Sequence, residues 1–231
     1  MILMNKDNEI LKYLEQAEKG DYYSMLKVAD CYFHKHDDEK SLEKALHWYI
    51  RAAKSNHHII KADAMAQIGL MYYNGIGTPV DYDAAFKWLN DCVLFQRNPP
   101  AVYALAEMYF YGRGTNVSYS RAAELYAMTW IYGRNGNAAY RLAEIYEYGY
   151  DGEIDNKRAL DYYIAAANHG HEVAMCKLGL IYETGEIVEQ DYQEAIHWYR
   201  LAADCGNKFA ATKLEELQDV DLSYPYQITW S

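Results

Sequence analysis

The sequence is poor in residues that interrupt helices and in residues that build sheets. It holds 4 prolines in 231 residues. Runs of Val, Ile and Thr are few, and no Asn-Gly or Asp-Gly hairpin turn joins alternating segments, so a β-rich fold is excluded. Cysteine is scarce too. Cys31, Cys92, Cys176 and Cys205 show no repeating spacing, which points to free thiols rather than a disulfide framework. Cys176 and Cys205 are the pair placed to bridge within one helical pair. Positive charge is in deficit, at 22 Lys and Arg against 33 Asp and Glu, for a formal charge of −11. That balance argues against duplex nucleic acid, whose phosphates need Lys and Arg, and against an anionic membrane surface. It is compatible with a basic protein or peptide partner, and equally with plain solubility. The opening MILMNKDNEILKYLEQ has no apolar run before Asp7 and Glu9, so neither a signal peptide nor a membrane span is expected, and a cytoplasmic location is.

Catalytic signatures are also missing. His34 and His36, and His169 and His171, stand two apart, and His57 adjoins His58. None has the i, i+4 spacing that puts two ligands on one helix face, and no His-Cys cluster has zinc spacing. There is no P-loop, no dinucleotide-binding glycine fingerprint and no G-x-S-x-G elbow. The glycines around Ile76 and Arg113 read as turns. A non-enzymatic protein without metal or cofactor is therefore expected.

What is abundant is helix-forming alanine, leucine, glutamate and lysine, arranged with a long period. An anchor tyrosine recurs at Tyr32, Tyr72, Tyr109, Tyr146 and Tyr182, at intervals of 40, 37, 37 and 36 residues. A second marker, an aromatic three residues after an alanine, recurs at Trp48, Trp88, Tyr126, Tyr162 and Trp198, at intervals of 40, 38, 36 and 36. Two markers that keep step over five copies define a repeat architecture. Counted from the anchor, an apolar stripe at −8, −4, −3, −1 and 0 follows the helical period. Position −3 is always small: Ala29, Gly69, Ala106, Ala143 or Gly179. Glycine costs about 1 kcal/mol in a helix interior against alanine. Its presence there predicts a second helix passing too close for a longer side chain. Gly75, Gly112, Gly149 and Gly185 are placed to end the first helix as left-handed caps. Asp81, Asp155 and Asp191 are placed to N-cap the second.

The pattern A-x3-LG-x2-Y-x2-G, then Asp, then A-x2-W-x3-AA, resembles the Sel-one-like repeat, a relative of the tetratricopeptide repeat, over about residues 20–218. The resemblance implies an all-α fold: an α/α solenoid, a right-handed superhelix of five helix-turn-helix repeats in one domain spanning 1–231. The repeats are expected at about 20–58, 61–97, 100–134, 136–170 and 172–206. A cap helix over 5–19, a final helix over 207–218 and a tail over 219–231 complete the reading, with the tail covering the terminal core. Repeat 1 departs from the pattern at Lys35, where the capping glycine belongs, and in the loop after it. Repeat 3 departs where Trp130-Ile131 replaces an alanine pair, with one extra residue in its loop.

In tetratricopeptide-like solenoids the first helices line a concave side. Their face opposite the core stripe falls at offsets −6, −2, +1 and +2. It carries Tyr73 and Asn74 in repeat 2; Tyr103, Glu107, Phe110 and Tyr111 in repeat 3; Tyr140, Glu144, Glu147 and Tyr148 in repeat 4; and Glu183 in repeat 5. Solvated, such residues form an aromatic and acidic groove for a partner; under tight curvature the rings instead pack against neighbouring first helices. The family resemblance implies an adaptor or scaffold for protein–protein interaction, as a monomer or weak homodimer. One form of it is a bacterial immunity protein that neutralises a toxin. The alternative is a hydrolase or carbohydrate-binding protein that uses the tyrosine-lined groove.

Overall fold

The computed structural model describes the backbone of residues 2–35, 39–93 and 98–218, with side chains over 10–35, 39–92 and 98–217. Among the described residues every regular element is an α-helix, and there are twelve. α1 (Ile2–Glu18) precedes five hairpins. They are α2 (Tyr22–Lys35) with α3 (Glu39–Ala52), α4 (His58–Asn74) with α5 (Tyr82–Val93), and α6 (Pro99–Tyr111) with α7 (Tyr119–Gly133). Then come α8 (Gly136–Tyr148) with α9 (Asn156–Asn168), and α10 (Glu172–Thr184) with α11 (Tyr192–Asp204). α12 (Lys208–Gln218) ends the described chain. The predicted cap helix and final helix are both present, whereas the predicted covering tail lies outside the described residues. The chain divides into two compact units, residues 1–132 and the residues from 133 onward. Within each, successive helices pack in order, α1 through α6 in the first and α8 through α12 in the second.

The hairpins of repeats 2 to 5 close by the same local devices. Gly75, Gly112, Gly149 and Gly185 adopt φ between 64° and 72°, where a side chain is strained, and their N–H groups return to the helix they end. The loop then comes back so that Asp81, Ser118, Asp155 and Asp191 donate their N–H to the carbonyls of Tyr72, Tyr109, Tyr146 and Tyr182, at 2.8–3.1 Å. Their side chains accept N–H bonds from the next helix's first turn. Ser118 does for repeat 3 what the aspartates do elsewhere. α2, α6, α8, α10 and α12 have a matching start, which α4 lacks: Asp21, Asn98, Asn135, His171 and Asn207 each accept the N–H three residues on. This start was legible as a short polar residue three before the small residue at −8.

The close approach at −3 is real. A Cβ on Gly179 would lie 2.5 Å from the Tyr199 ring, and one on Gly69 would lie 2.6 Å from Leu89 Cγ. The second helix of each hairpin thus drives a large side chain into the space that the small residue leaves.

One register needs correction. The fully buried alanines of the second helices are Ala45, Ala85, Ala122, Ala159 and Ala195. Their spacing matches that of the anchor tyrosines, so repeat 3 has no extra loop residue. Tyr126, read from sequence as the equivalent of Trp48, is instead the equivalent of Tyr49, Tyr163 and Tyr199. All four are buried, and Leu125 stands where Trp48 does. The ambiguity came from the pair Ala122-Ala123, of which only the first is wholly buried. Thr129 then fills the site of the first alanine of the pair, its hydroxyl donating to the Leu125 carbonyl at 2.9 Å. All four cysteines are free thiols, so Cys176 and Cys205 are not bridged.

Candidate functional site

The stripe at −6, −2, +1 and +2 is built differently from the solvated groove expected. A buried second-helix tyrosine reaches it from within and donates its hydroxyl to an acid on it. Tyr49 bonds Asp30 at 2.9 Å and Tyr126 bonds Glu107 at 2.5 Å. Tyr163 bonds Glu147 and Tyr199 bonds Glu183, each at 2.6 Å. Burial and the facing carboxylate together push the phenols of Tyr49, Tyr163 and Tyr199 far above their ordinary range, so the proton stays on the tyrosine. The acid sits at −2 in repeats 1 and 3 and at +1 in repeats 4 and 5, one helical turn further along. Repeat 2 has neither partner: Leu89 replaces the tyrosine.

In the first unit, Glu107 is 8% exposed and is a structural acid, not an open contact. Tyr103 is half-buried against the Tyr126 ring, with centroids 5.7 Å apart, and Phe110 packs on Tyr111, Tyr119 and Tyr126. Tyr111 remains 43% exposed, and Asn74 is exposed. Tyr73 packs on Tyr82 and accepts a hydrogen bond at 3.3 Å from Arg113 Nη1. The guanidinium lies 5.4 Å from the Tyr82 ring centroid and 4.8 Å from that of Tyr111. Arg113 was missed because it sits inside the glycine turn; among the residues at +4 (Ile76, Arg113, Tyr150, Glu186) its charge was the available signal.

In the second unit the acids are neutralised. Glu144 pairs with Arg141 at 2.6 Å and also takes the Tyr140 hydroxyl. Glu147 accepts Tyr163 on one oxygen and Lys177, from the next hairpin, on the other at 2.7 Å. Glu183 repeats this with Tyr199 and Lys213 at 3.1 Å. These side chains are 15–18% exposed, so the expected open negative field does not exist at them. Tyr140 is half-buried, stacked on His171 with centroids 4.3 Å apart and planes 12° apart. Tyr148 is 52% exposed beside Tyr150, 5.4 Å away. Of the predicted groove residues, therefore, Asn74, Tyr111 and Tyr148 present open surface. Tyr73 is half-buried under Arg113, and the rest are held within their own unit. Among the described residues no His, Cys, Asp and Glu group could hold a metal, and no helix is long and apolar enough to cross a membrane.

This hairpin series is that of a known repeat. The Sel1 repeat model matches residues 23–57, 62–90, 99–128, 136–171 and 173–207, and the chain belongs to that family as an all-α solenoid. No curated protein is similar enough to the chain in sequence to count as a relative. Among solved structures the chain is similar to a Sel1 repeat protein from Oxalobacter formigenes. That match has 25% identity, a TM-score of 0.69, and covers 90% of this chain and 89% of that one. It is also similar in fold to c5321, described as a protective antigen present in uropathogenic Escherichia coli strains. There the identity is 22%, the TM-score 0.64, and 90% of this chain matches 51% of that one. The repeat is in general one of protein–protein interaction.

Proposed function

We propose that the chain is a non-enzymatic scaffold that binds another protein or a peptide through the exposed edge of the first helices and the loops beside it. The observation that supports this is a pair of tyrosines left open at the same register. Tyr111 and Tyr148, at +2 in consecutive repeats, are 43% and 52% exposed, while nearly every neighbour on the stripe is tied down. Each stands beside a fixed companion, Arg113 in one unit and Tyr150 in the other. Large rings held in place lose little freedom on binding and are enriched at binding hot spots. The formal charge of −11 favours a partner of net positive charge by steering its approach, and a toxin neutralised by this chain is one such partner.

The test is affinity isolation of the full chain with its partner identified by mass spectrometry, followed by kinetics on the purified pair. Tyr111→Ala and Tyr148→Ala each cost about 2 kcal/mol of binding, roughly thirtyfold, mostly in dissociation. Both variants keep their helical circular dichroism, since neither ring is in the core. Parent-like affinity in both variants overturns the reading, and so does turnover of a substrate or capture of a glycan in place of a protein.

A further inference from the structure

The first unit contains a cleft of about 680 Å³ between the hairpin loops of repeats 2 and 3. Thr78, Val80, Asp81 and Tyr82 form one wall, and Gly112 to Gly114 form the other. Arg113 stands at this cleft and differs from the cations that pair with acids beside the stripe. Lys27, Arg141, Lys177 and Lys213 each hold a carboxylate within 2.6–3.3 Å. Among the described residues Arg113 has no carboxylate in ion-pair range. It is held by rings alone, lying against Tyr82 and Tyr111, with one of its five N–H groups given to the Tyr73 hydroxyl. In a chain with 33 acidic residues, an arginine without an acidic partner leaves a fork of donors unspent. Its orientation is fixed before any ligand arrives, so little ordering cost remains.

We propose that Arg113 is the anchor for a carboxylate on a peptide segment of the partner, which lies in the cleft with an apolar side chain against Tyr82 and Val80. This rests on the scaffold reading above and names one contact of it. The guanidinium fork matches a carboxylate in two parallel hydrogen bonds. A phosphate is the poorer fit. Asp81 and Asp83 line the same cleft, and a dianion would meet both with a single cation to offset them. A partner of net positive charge satisfies the arrangement as well as any other, because the site asks for one acidic side chain and not for an acidic protein.

The experiment follows backbone amide resonances of the full ¹⁵N-labelled chain. Three probes are titrated: a short acetylated and amidated peptide with a glutamate flanked by leucines, its glutamine counterpart, and inorganic phosphate. The glutamate peptide moves Gly112, Gly114 and Tyr82 saturably. The glutamine peptide binds on the order of tenfold more weakly, as expected for loss of a charge-assisted pair. Arg113→Gln removes the preference for glutamate over glutamine, and Arg113→Lys keeps part of it. Equal shifts from the two peptides, no shift from either, or tighter binding of phosphate than of the glutamate peptide each overturn the proposal. If Arg113→Gln also leaves affinity for a purified partner unchanged while Tyr148→Ala weakens it, the anchor is wrong and the scaffold reading stands.

Discussion

The two units join successive hairpins by opposite means. In the first, the second glycine of each loop lies on the backbone of the hairpin before it. A Cβ on Gly77 would meet the Leu42 backbone at 2.7 Å, and one on Gly114 would collide with the Tyr82 carbonyl. In the second unit the same loop positions are Asp151 and Ile187, which cannot make that approach. There the hairpins are tied by Glu147 to Lys177 and by Glu183 to Lys213, each glutamate also bonded to a tyrosine of its own hairpin. One joint depends on the absence of a side chain. The other depends on charge, so salt acts on it.

The cysteines let the two joints be probed separately. Cys92 and Cys176 are buried, one in each unit, and burial pushes both thiols up to about 11. Both are therefore slow to label until their unit opens. The largest expected effect is Gly114→Ala. It combines a φ of +68° with a backbone clash, and it destabilises the first unit by about 3 kcal/mol. Cys92 labelling accelerates and Cys176 labelling does not; acceleration of both alike breaks the comparison.

Next is Tyr126→Phe, which removes a hydrogen bond to a carboxylate that is 8% exposed and costs about 2 kcal/mol, against about 1 kcal/mol for Tyr163→Phe, whose acceptor Glu147 is 15% exposed and is also paired with Lys177. Denaturant melts of the two variants give the difference, and equal losses show that the surroundings of the acid do not set the cost. Lys177→Met costs the second unit about 0.5–1 kcal/mol at low ionic strength and less in high salt, because the pair is partly exposed. A loss that does not shrink with salt removes the ionic account of this joint.

The smallest effect is on pH. His171 caps α10 through Nδ1, which accepts the Ala174 N–H at 3.1 Å. Burial, and then the nearby Arg141, hold its pKa below the ordinary 6.5, with Glu172 opposing them weakly. A folded value below the unfolded one means that the cap is intact above about 6.5 and is lost as the pH falls through the folded value. The second unit loses stability over that window, and His171→Asn removes the dependence by capping without titrating. In the first unit Asn98 caps α6 and has nothing to titrate. Denaturant melts that give the second unit the same stability at neutral pH and at pH about 5 rule the switch out.

The fold was almost wholly legible. The small residue at −3, the glycine at +3 and the aspartate at +9 each have one steric or hydrogen-bonding reason to recur, and each reason survives in the structure. The candidate site was legible in part. Glu107, Glu147 and Glu183 read as exposed because a carboxylate on an amphipathic helix is usually solvated. What buries them is a tyrosine hydroxyl 16 or 19 residues away, and no periodicity within one helix reveals that partner. Their alternation between −2 and +1 hid the pattern further, since one column of the repeat showed acids in only some copies. Arg113 was hidden by its glycines, which read as a turn whatever stands between them. Tyr111 and Tyr148 are exposed at the register expected, because position +2 is the part of the stripe that the second helix does not reach.

The bonds from Asp81, Ser118, Asp155 and Asp191 back to the anchor carbonyls span only nine residues each. A contact that short closes before distant parts of the chain have met, so each hairpin can form while later repeats are still on the ribosome. The ionic joint is different in time as well as in kind. Glu147 must wait for Lys177, a further 30 residues of synthesis, and Glu183 must wait equally long for Lys213. While each glutamate waits, the newer hairpin can already close, because Tyr163 and Tyr199 follow their glutamates by only 16 residues. The growing end therefore shows the next repeat a charged and prearranged surface rather than a loose one.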